Sequence, residues 1–142
     1  IEWEQDFRKA IKYYEKEIAI DAKCIRAYQR LGDLYRSYEM DFEKAVEMLK
    51  KALELDSNHV PSLLNYGNTL FNMDQLGRAA EQFEMALQID PGDLTANYNL
   101  ALMYEYSDKK DLAIDRWKRF LKLNPPAEWK ADANKHLRGL GQ

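Results

Sequence analysis

The chain has 142 residues, of which 46% are hydrophobic and 32% are charged, and its formal net charge is −3. These values fit one soluble domain with a sizeable core, and they lack the basic footprint that is typical of nucleic-acid binding. No apolar run approaches the ~20 residues that span a bilayer, so no membrane segment is expected. Cys24 is the only cysteine, which excludes an internal disulfide and leaves the compartment open. The sequence begins at Ile1 rather than methionine and carries no signal peptide, so we expect a fragment of a longer protein.

The pattern of helix formers and breakers predicts an all-α chain. Glycine and proline are few and stand mostly where helices should end, and no stretch alternates with period two for long enough to indicate a strand. The first element, residues 1–24, is predicted as a single helix with an apolar face at Phe7, Ala10, Tyr14 and Ile18.

Three helix pairs are predicted to follow, over residues 25–59, 60–93 and 94–127. The first helix of each pair carries mostly apolar or small residues at the spacing i, i+3, i+4 and i+7, which places them on one helix face. These positions are Tyr28, Leu31, Gly32 and Tyr35, then Leu63, Tyr66, Gly67 and Leu70, then Asn97, Leu100, Ala101 and Tyr104. We expect Gly67 to face the partner helix of its own pair, where a side chain would push the two helices apart.

The second helices share a small residue that recurs at steps of 35, 34 and 34 residues, at Ala10, Ala45, Ala79 and Ala113. The extra residue of the first step lies between Tyr35 and Ala45, and we expect it in the turn between two helices. Aspartates at the expected helix starts are predicted as N-caps. Asp41, Asp74 and Asp108 would cap the second helices of the three pairs, and Asp93 would cap the first helix of the third pair.

This repeated pattern resembles the tetratricopeptide repeat family, whose units of ~34 residues have a glycine in the first helix and a closing proline. The best match is residues 60–93, which carry the family's residues at Gly67, Ala79, Phe83, Ala86 and Pro91. The resemblance implies a right-handed α-α superhelix of antiparallel helix pairs, a solenoid whose first helices line a concave groove. The departures from the family pattern are Ala22, Ser57, Asn97 and Phe120, and we expect the third repeat to pack its second helix differently.

The two ends of the array are expected to differ from its middle. Residues 1–24 match only the second half of a repeat, so an upstream repeat or another molecule is expected to cover their apolar face. The candidates for that face are Trp3, Phe7, Ile11 and Tyr14. Residues 128–142 are predicted as a capping helix, with Trp129, Ala133, His136 or Leu137, and Leu140 on its apolar stripe.

The face of each first helix that lies opposite its packing stripe is predicted to form the partner-binding groove. In chain order this face carries Arg26, Gln29, Arg30, Asp33 and Arg36, then Leu64, Asn65, Asn68, Phe71 and Asn72, then Tyr98, Asn99, Leu102, Glu105 and Tyr106. The apolar members would form an exposed patch, and such a patch marks an interface. The alternative is that these side chains pack on one another across a tightly wound groove.

Asn65 and Asn99 occupy the same position 34 residues apart, and a side-chain amide can both donate to and accept from an extended peptide backbone. The pair resembles the asparagine ladder in the repeats of the O-linked sugar transferase, which implies peptide binding without sequence preference. The alternative is that both asparagines bond locally or bind water. The carboxylate clamp of the chaperone-cofactor members is not expected, because Asp33 at its centre would repel a carboxylate.

Arginines on the first helix of the first repeat, Arg26, Arg30 and Arg36, form a basic strip beside Asp33. The strip could receive an acidic peptide or a phosphate. The alternative is a solvated face with an ion pair between Arg30 and Asp33.

No residue pattern indicates catalysis, a cofactor or a metal site, because His59 and His136 lie in different repeats and Cys24 has no evident histidine partner. The sequence therefore predicts a non-enzymatic module that binds a peptide or helix of a protein partner in its groove. The alternative is a scaffold that forms a homo-oligomer through the N-terminal half-repeat. An RNA-reading helical repeat is disfavoured by the acidic charge and the glycine position.

Overall fold

The computed structural model describes residues 2–142, and all regular secondary structure in that range is helical. The chain divides into two compact units, Ile1–Asp74 and Gln75–Gln142. Unit 1 contains α1 (Glu2–Ile20), α2 (Ile25–Leu34), α3 (Phe42–Leu55) and α4 (Val60–Asn72). Unit 2 contains α5 (Leu76–Ile89), α6 (Leu94–Tyr106), α7 (Lys110–Lys122) and α8 (Ala127–Gly139).

In unit 1 each helix packs against the next one along the chain, and α2 also packs against α4. The core cluster consists of Ile11 from α1, Leu31 from α2, Tyr35 just after α2, and Ala45 from α3. Since the predicted stripe of α2 supplies these core residues, the opposite face of that helix points outward.

Gly32 permits the close approach of α2 to α3. A Cβ atom at this position would lie 2.5 Å from Cγ of Leu49, and Leu49 is completely buried, so it has no free space to move into. A glycine inside a helix costs about 1 kcal/mol relative to alanine, and the tight contact offsets that cost. Gly67 holds the same position in α4 and is also buried.

The extra residue of the first repeat lies in a helix, so the prediction that it falls in the connecting turn was wrong. Helix α2 continues into a π-helical turn, Tyr35–Glu39, which we call the π-turn. A π-turn bonds each N–H to the carbonyl five residues back and takes up one more residue than an α-helical turn. The inserted residue therefore keeps its backbone groups hydrogen-bonded, which an open loop would leave to solvent.

Two of the four predicted N-caps are observed. Asp41 and Asp93 each accept a hydrogen bond from the backbone N–H three residues on, at 3.0 and 2.7 Å. Asp74 and Asp108 instead adopt left-handed backbone angles, with φ of 58° and 57°, one residue before the N-cap. Aspartate tolerates this conformation better than most residues, and the backbone N–H groups of the two aspartates bond to carbonyls at the end of the preceding helix.

Unit 2 repeats the packing scheme, with α6 against α5 and α7, and α8 against α7. Its largest fully buried side chains include Phe83 from α5, Leu100 from α6, and Trp117 and Phe120 from α7. Phe120 stands where the family pattern has a small residue, and its ring stacks on that of Trp129 from α8. The additional ring volume in α7 is thus used to hold the last helix.

Equivalent tyrosine–glutamate hydrogen bonds recur in both units. The hydroxyl of Tyr35 donates to Glu15 of α1 at 3.0 Å, and the hydroxyl of Tyr104 donates to Glu84 of α5. Burial, together with the neighbouring carboxylate, raises the pKa of each of these tyrosines to about 12. Each bond joins a first helix to the second helix of the preceding repeat.

Replacing Gly32 by alanine is expected to lower the free energy of unfolding by about 1–3 kcal/mol, because the new methyl group overpacks the contact with Leu49. Gly77 is the matched control, since a Cβ atom there meets nothing within 4 Å. Gly77→Ala should be neutral or stabilise by up to about 1 kcal/mol. Urea unfolding followed by circular dichroism measures both. Equal stability of the two variants would contradict the close-contact interpretation.

Candidate partner-binding surface

The outward face of α2 holds fewer free cations than the sequence predicted. Arg36 forms an ion pair with Asp33 at 2.7 Å, so the predicted pairing of Asp33 with Arg30 is corrected. Arg26 and Arg30 are exposed, and Gln29 is half-buried. The basic strip is therefore reduced to two accessible arginines.

The outward face of α4 combines polar and apolar side chains. Leu64, Asn65 and Asn68 are half-buried, whereas Phe71 and Asn72 are exposed. On the inward side, the buried hydroxyl of Thr69 donates to the backbone carbonyl of Asn65 at 2.8 Å.

Asn65 has an unused hydrogen-bonding side chain. Between residues 2 and 142 the structure records no hydrogen bond to its amide group, although its backbone carbonyl accepts one from Thr69. A half-buried amide has donors and an acceptor that only solvent or a ligand can satisfy. Asn65 is therefore a position where an extended backbone could bind.

The outward face of α6 is divided between solvent and the last helix. Asn99 and Leu102 are half-buried and Tyr106 is 54% exposed. The hydroxyl of Tyr98, in contrast, donates a hydrogen bond to Asp132 of α8. Burial and this hydrogen bond raise the pKa of Tyr98 to about 12. The ring of Tyr98 also lies 5.1 Å from that of Trp117, so this tyrosine is packed beneath α8.

Glu105 also holds α8 in place. Its carboxylate accepts a hydrogen bond from Nε1 of Trp117 at 3.1 Å and contacts Nδ1 of His136 at 3.0 Å. The ring of His136 stacks on that of Trp117, with the centroids 4.7 Å apart. Sequence reasoning missed this network because a contact between residues 105 and 136 has no local signal. It could have been suspected only from the choice between His136 and Leu137 on the capping stripe.

The N-terminal helix presents an aromatic cluster together with the π-turn. Tyr38 of the π-turn stacks on Phe7 with ring centroids 4.5 Å apart, and Trp3 lies edge-on to both rings. Trp3 is 52% and Phe7 38% exposed. Ile11 does not belong to this exposed surface, because it is buried in the core of unit 1.

A recess of about 420 Å³ lies between α1 and α2, next to this cluster. Ala10 and Tyr14 line it and are half-buried, whereas Ala45 and Leu49, 35 residues later, are completely buried. Helix α2 covers Leu49 through Gly32. The recess therefore corresponds, on α1, to the surface of α3 that α2 covers.

The remaining candidates for chemistry have structural roles or stand alone. His59 contacts the hydroxyl of Ser62 at 2.8 Å at the start of α4, and Cys24 occupies the N-cap position of α2. Over residues 2–142, no three histidine, cysteine, aspartate or glutamate side chains come together as a metal site. In the same range no helix combines the length and the apolar character needed to cross a bilayer.

Comparisons with known proteins show which family and which solved structures this chain is similar to. Family models described as tetratricopeptide repeat match residues 38–93 and 95–127. A search of curated proteins finds no match in sequence. The crystal structure of MamA superposes with a TM-score of 0.78 at 25% identity, over 87% of this chain and 72% of that chain. A crystal structure of MamA protein superposes with a TM-score of 0.78 at 23% identity, over 98% and 83%. These matches confirm the predicted all-α helical-repeat fold class.

Replacing Glu105 by alanine is expected to lower the free energy of unfolding by about 1–3 kcal/mol, because the buried Trp117 N–H loses its acceptor. Glu105→Gln keeps an oxygen for that N–H and should lose clearly less stability. Urea unfolding followed by tryptophan fluorescence compares the two variants. If Glu105→Ala were as stable as the wild type, Glu105 would be available for partner binding after all.

Proposed function

We propose that this protein, which belongs to the tetratricopeptide repeat family, is a non-catalytic interaction module that binds a peptide or helix of a partner protein. The family matches and the MamA-like fold support an interaction or scaffold role. The binding surface that we propose consists of the outward faces of the first helices, taken separately in each unit.

The observation that carries this proposal is the outward face of α4. The free amide of Asn65 lies on the same helix as the half-buried Leu64 and the exposed Phe71. An amide can bind the backbone of an extended peptide while the apolar neighbours cover one of its side chains. Aromatic residues are also frequent hot spots of protein interfaces. Asn68 and Asn72 extend the polar part of this face.

The other predicted residues divide into two groups. In unit 1, the exposed cations Arg26 and Arg30 favour a partner that is acidic near this end. In unit 2, the face of α6 offers Asn99, Leu102 and Tyr106. Side chains whose charged or hydroxyl groups pair with each other or with the next helices are assigned to the shape of these faces rather than to direct binding; among them are Asp33, Arg36, Tyr98 and Glu105.

The partner-binding proposal is tested by affinity capture from source lysate with quantitative mass spectrometry. The double variant Asn65→Ala/Phe71→Ala should bind its partners about tenfold or more weakly, since it removes the amide and an apolar anchor. The control Asn58→Ala/Met85→Ala changes a turn and the exposed side of α5, and it should keep them. The same partners in equal amounts on all three proteins would overturn the α4 surface.

A second candidate function is assembly into a scaffold through α1. It is supported by the recess beside Ala10 and Tyr14, whose counterparts Ala45 and Leu49 are fully covered by a first helix. The exposed rings of Trp3 and Phe7 at its edge give the apolar surface that an isologous dimer needs. We infer that a second copy of the chain occupies this recess in the dimer.

Light scattering after size exclusion, over a range of protein concentrations, tests the assembly candidate. The mass of the wild type should rise towards that of a dimer, and Trp3→Ala/Phe7→Ala should remain a monomer. Ile20→Ala is the matched control, because Ile20 is an exposed apolar residue at the other end of α1. A wild type that stays monomeric at all concentrations, or a double variant that still dimerises, would contradict assembly through this face.

A further inference from the structure

A structural substitution in unit 2 opens a cleft where unit 1 has a tyrosine. The hydroxyl of Tyr28 donates to the carbonyl of Ala22 at 3.1 Å. At the same spacing of six residues, the side-chain amide of Asn97 donates to the carbonyl of Pro91 at 3.1 Å. The shorter asparagine makes the equivalent hydrogen bond, so the volume of an aromatic ring is left empty.

The volumes of the two recesses reflect this difference. The recess beside Tyr28 measures about 280 Å³, and the cleft beside Asn97 measures about 450 Å³. The larger value lies within the ~300–1,000 Å³ that is usual for ligand sites. The apolar side chains of Leu87, Pro91 and Leu123 line the cleft, so it can take an apolar group.

Arg116 gives the cleft an unused hydrogen-bond donor. One of its terminal nitrogens donates to Oδ1 of Asn97 at 3.2 Å, which fixes the guanidinium against the cleft. Its Nε is buried, and no group among residues 2–142 accepts a hydrogen bond from it. Because the buried Nε is closed to solvent, the terminal nitrogens of the guanidinium are the donors that a ligand oxygen can reach.

The charges around the cleft favour an anionic ligand group. Arg116 has no ion-pair partner within the part of the chain that the structure describes, whereas Arg119 pairs with Asp115 at 2.8 Å. Glu84, the acidic residue of the lining, already accepts a hydrogen bond from the hydroxyl of Tyr104. Arg116 is thus the cation that remains to be neutralised, and a carboxylate would accept a charge-assisted hydrogen bond from a terminal nitrogen of its guanidinium.

We propose that this cleft is a second binding site, separate from the first-helix faces, for an aromatic side chain of a partner peptide that is followed by an acidic residue. The ring takes the space that Tyr28 fills in the first repeat and packs between Leu87, Pro91 and Leu123. The neighbouring carboxylate accepts a hydrogen bond from a terminal nitrogen of the Arg116 guanidinium.

The test uses acetyl-Trp-Glu-amide as the probe and nitrogen-15 NMR of the arginine Nε–H and asparagine amide signals. Titration should shift the signals of Arg116 and Asn97. Acetyl-Trp-Gln-amide and acetyl-Ala-Glu-amide should each bind about tenfold more weakly, since one lacks the carboxylate and the other the ring. Equal affinity of the three peptides, or no shift at Arg116, would overturn the proposal.

Two variants locate the binding in the cleft. Asn97→Tyr refills the cleft in the manner of Tyr28 and should abolish the shifts, while Arg116→Lys keeps the charge without the planar guanidinium and should weaken binding about tenfold. Unchanged binding by Arg116→Lys would overturn the proposal even if Asn97→Tyr does not fold. Indole-3-propionate tests the alternative source of the same chemistry, and tighter binding of this free acid than of the peptide would also overturn it.

The two proposed sites can fail separately. Asn65→Ala removes the amide on α4 and leaves every residue of the cleft in place, so it should bind acetyl-Trp-Glu-amide as the wild type does. If Asn65→Ala bound this peptide less well than the wild type, the shifts would not report the cleft, and the proposal of a separate site would be overturned.

Discussion

The closeness of paired helices is the constraint on which the rest of this structure depends. Helix α2 approaches α3 so tightly that Gly32 has no room for a methyl group beside Leu49. Completely buried alanines stand at equivalent positions of the second helices, at Ala45 of α3 and Ala113 of α7. Because the small residues that allow this close approach of paired helices lie on one face, the opposite face of each first helix needs no apolar stripe and can vary in chemistry.

The chemistry of the outward face differs from one first helix to the next. On α4 the outward face carries the amide of Asn65, which has no recorded hydrogen bond within residues 2–142, and the exposed ring of Phe71, whereas on α6 part of the same face is bonded to α8. Tyr98 and Glu105 are the residues involved, and each reaches α8 by a hydrogen bond. These two side chains are therefore engaged within unit 2.

The repeat period and the buried stripes could be predicted from the sequence, because both depend on spacings within one helix pair. The left-handed conformation of Asp74 and Asp108 could not, since aspartate is equally suited to an N-cap and the choice depends on where the preceding helix ends. The hydrogen bond from Tyr98 to Asp132 could not be predicted from the sequence for a different reason. It joins residues 34 positions apart, and only the packing of α8 brings them together.

The π-turn also bears on how freely the repeats could be exchanged. Its extra residue sets the first repeat apart from the others and carries Tyr38 onto the ring of Phe7 in α1. A recombination event that replaced this repeat with a copy of a later one would preserve the buried stripes and remove the stacked ring. The repeats of this chain are therefore equivalent in their buried stripes. They are not interchangeable at their edges, and the first repeat is specific to its position.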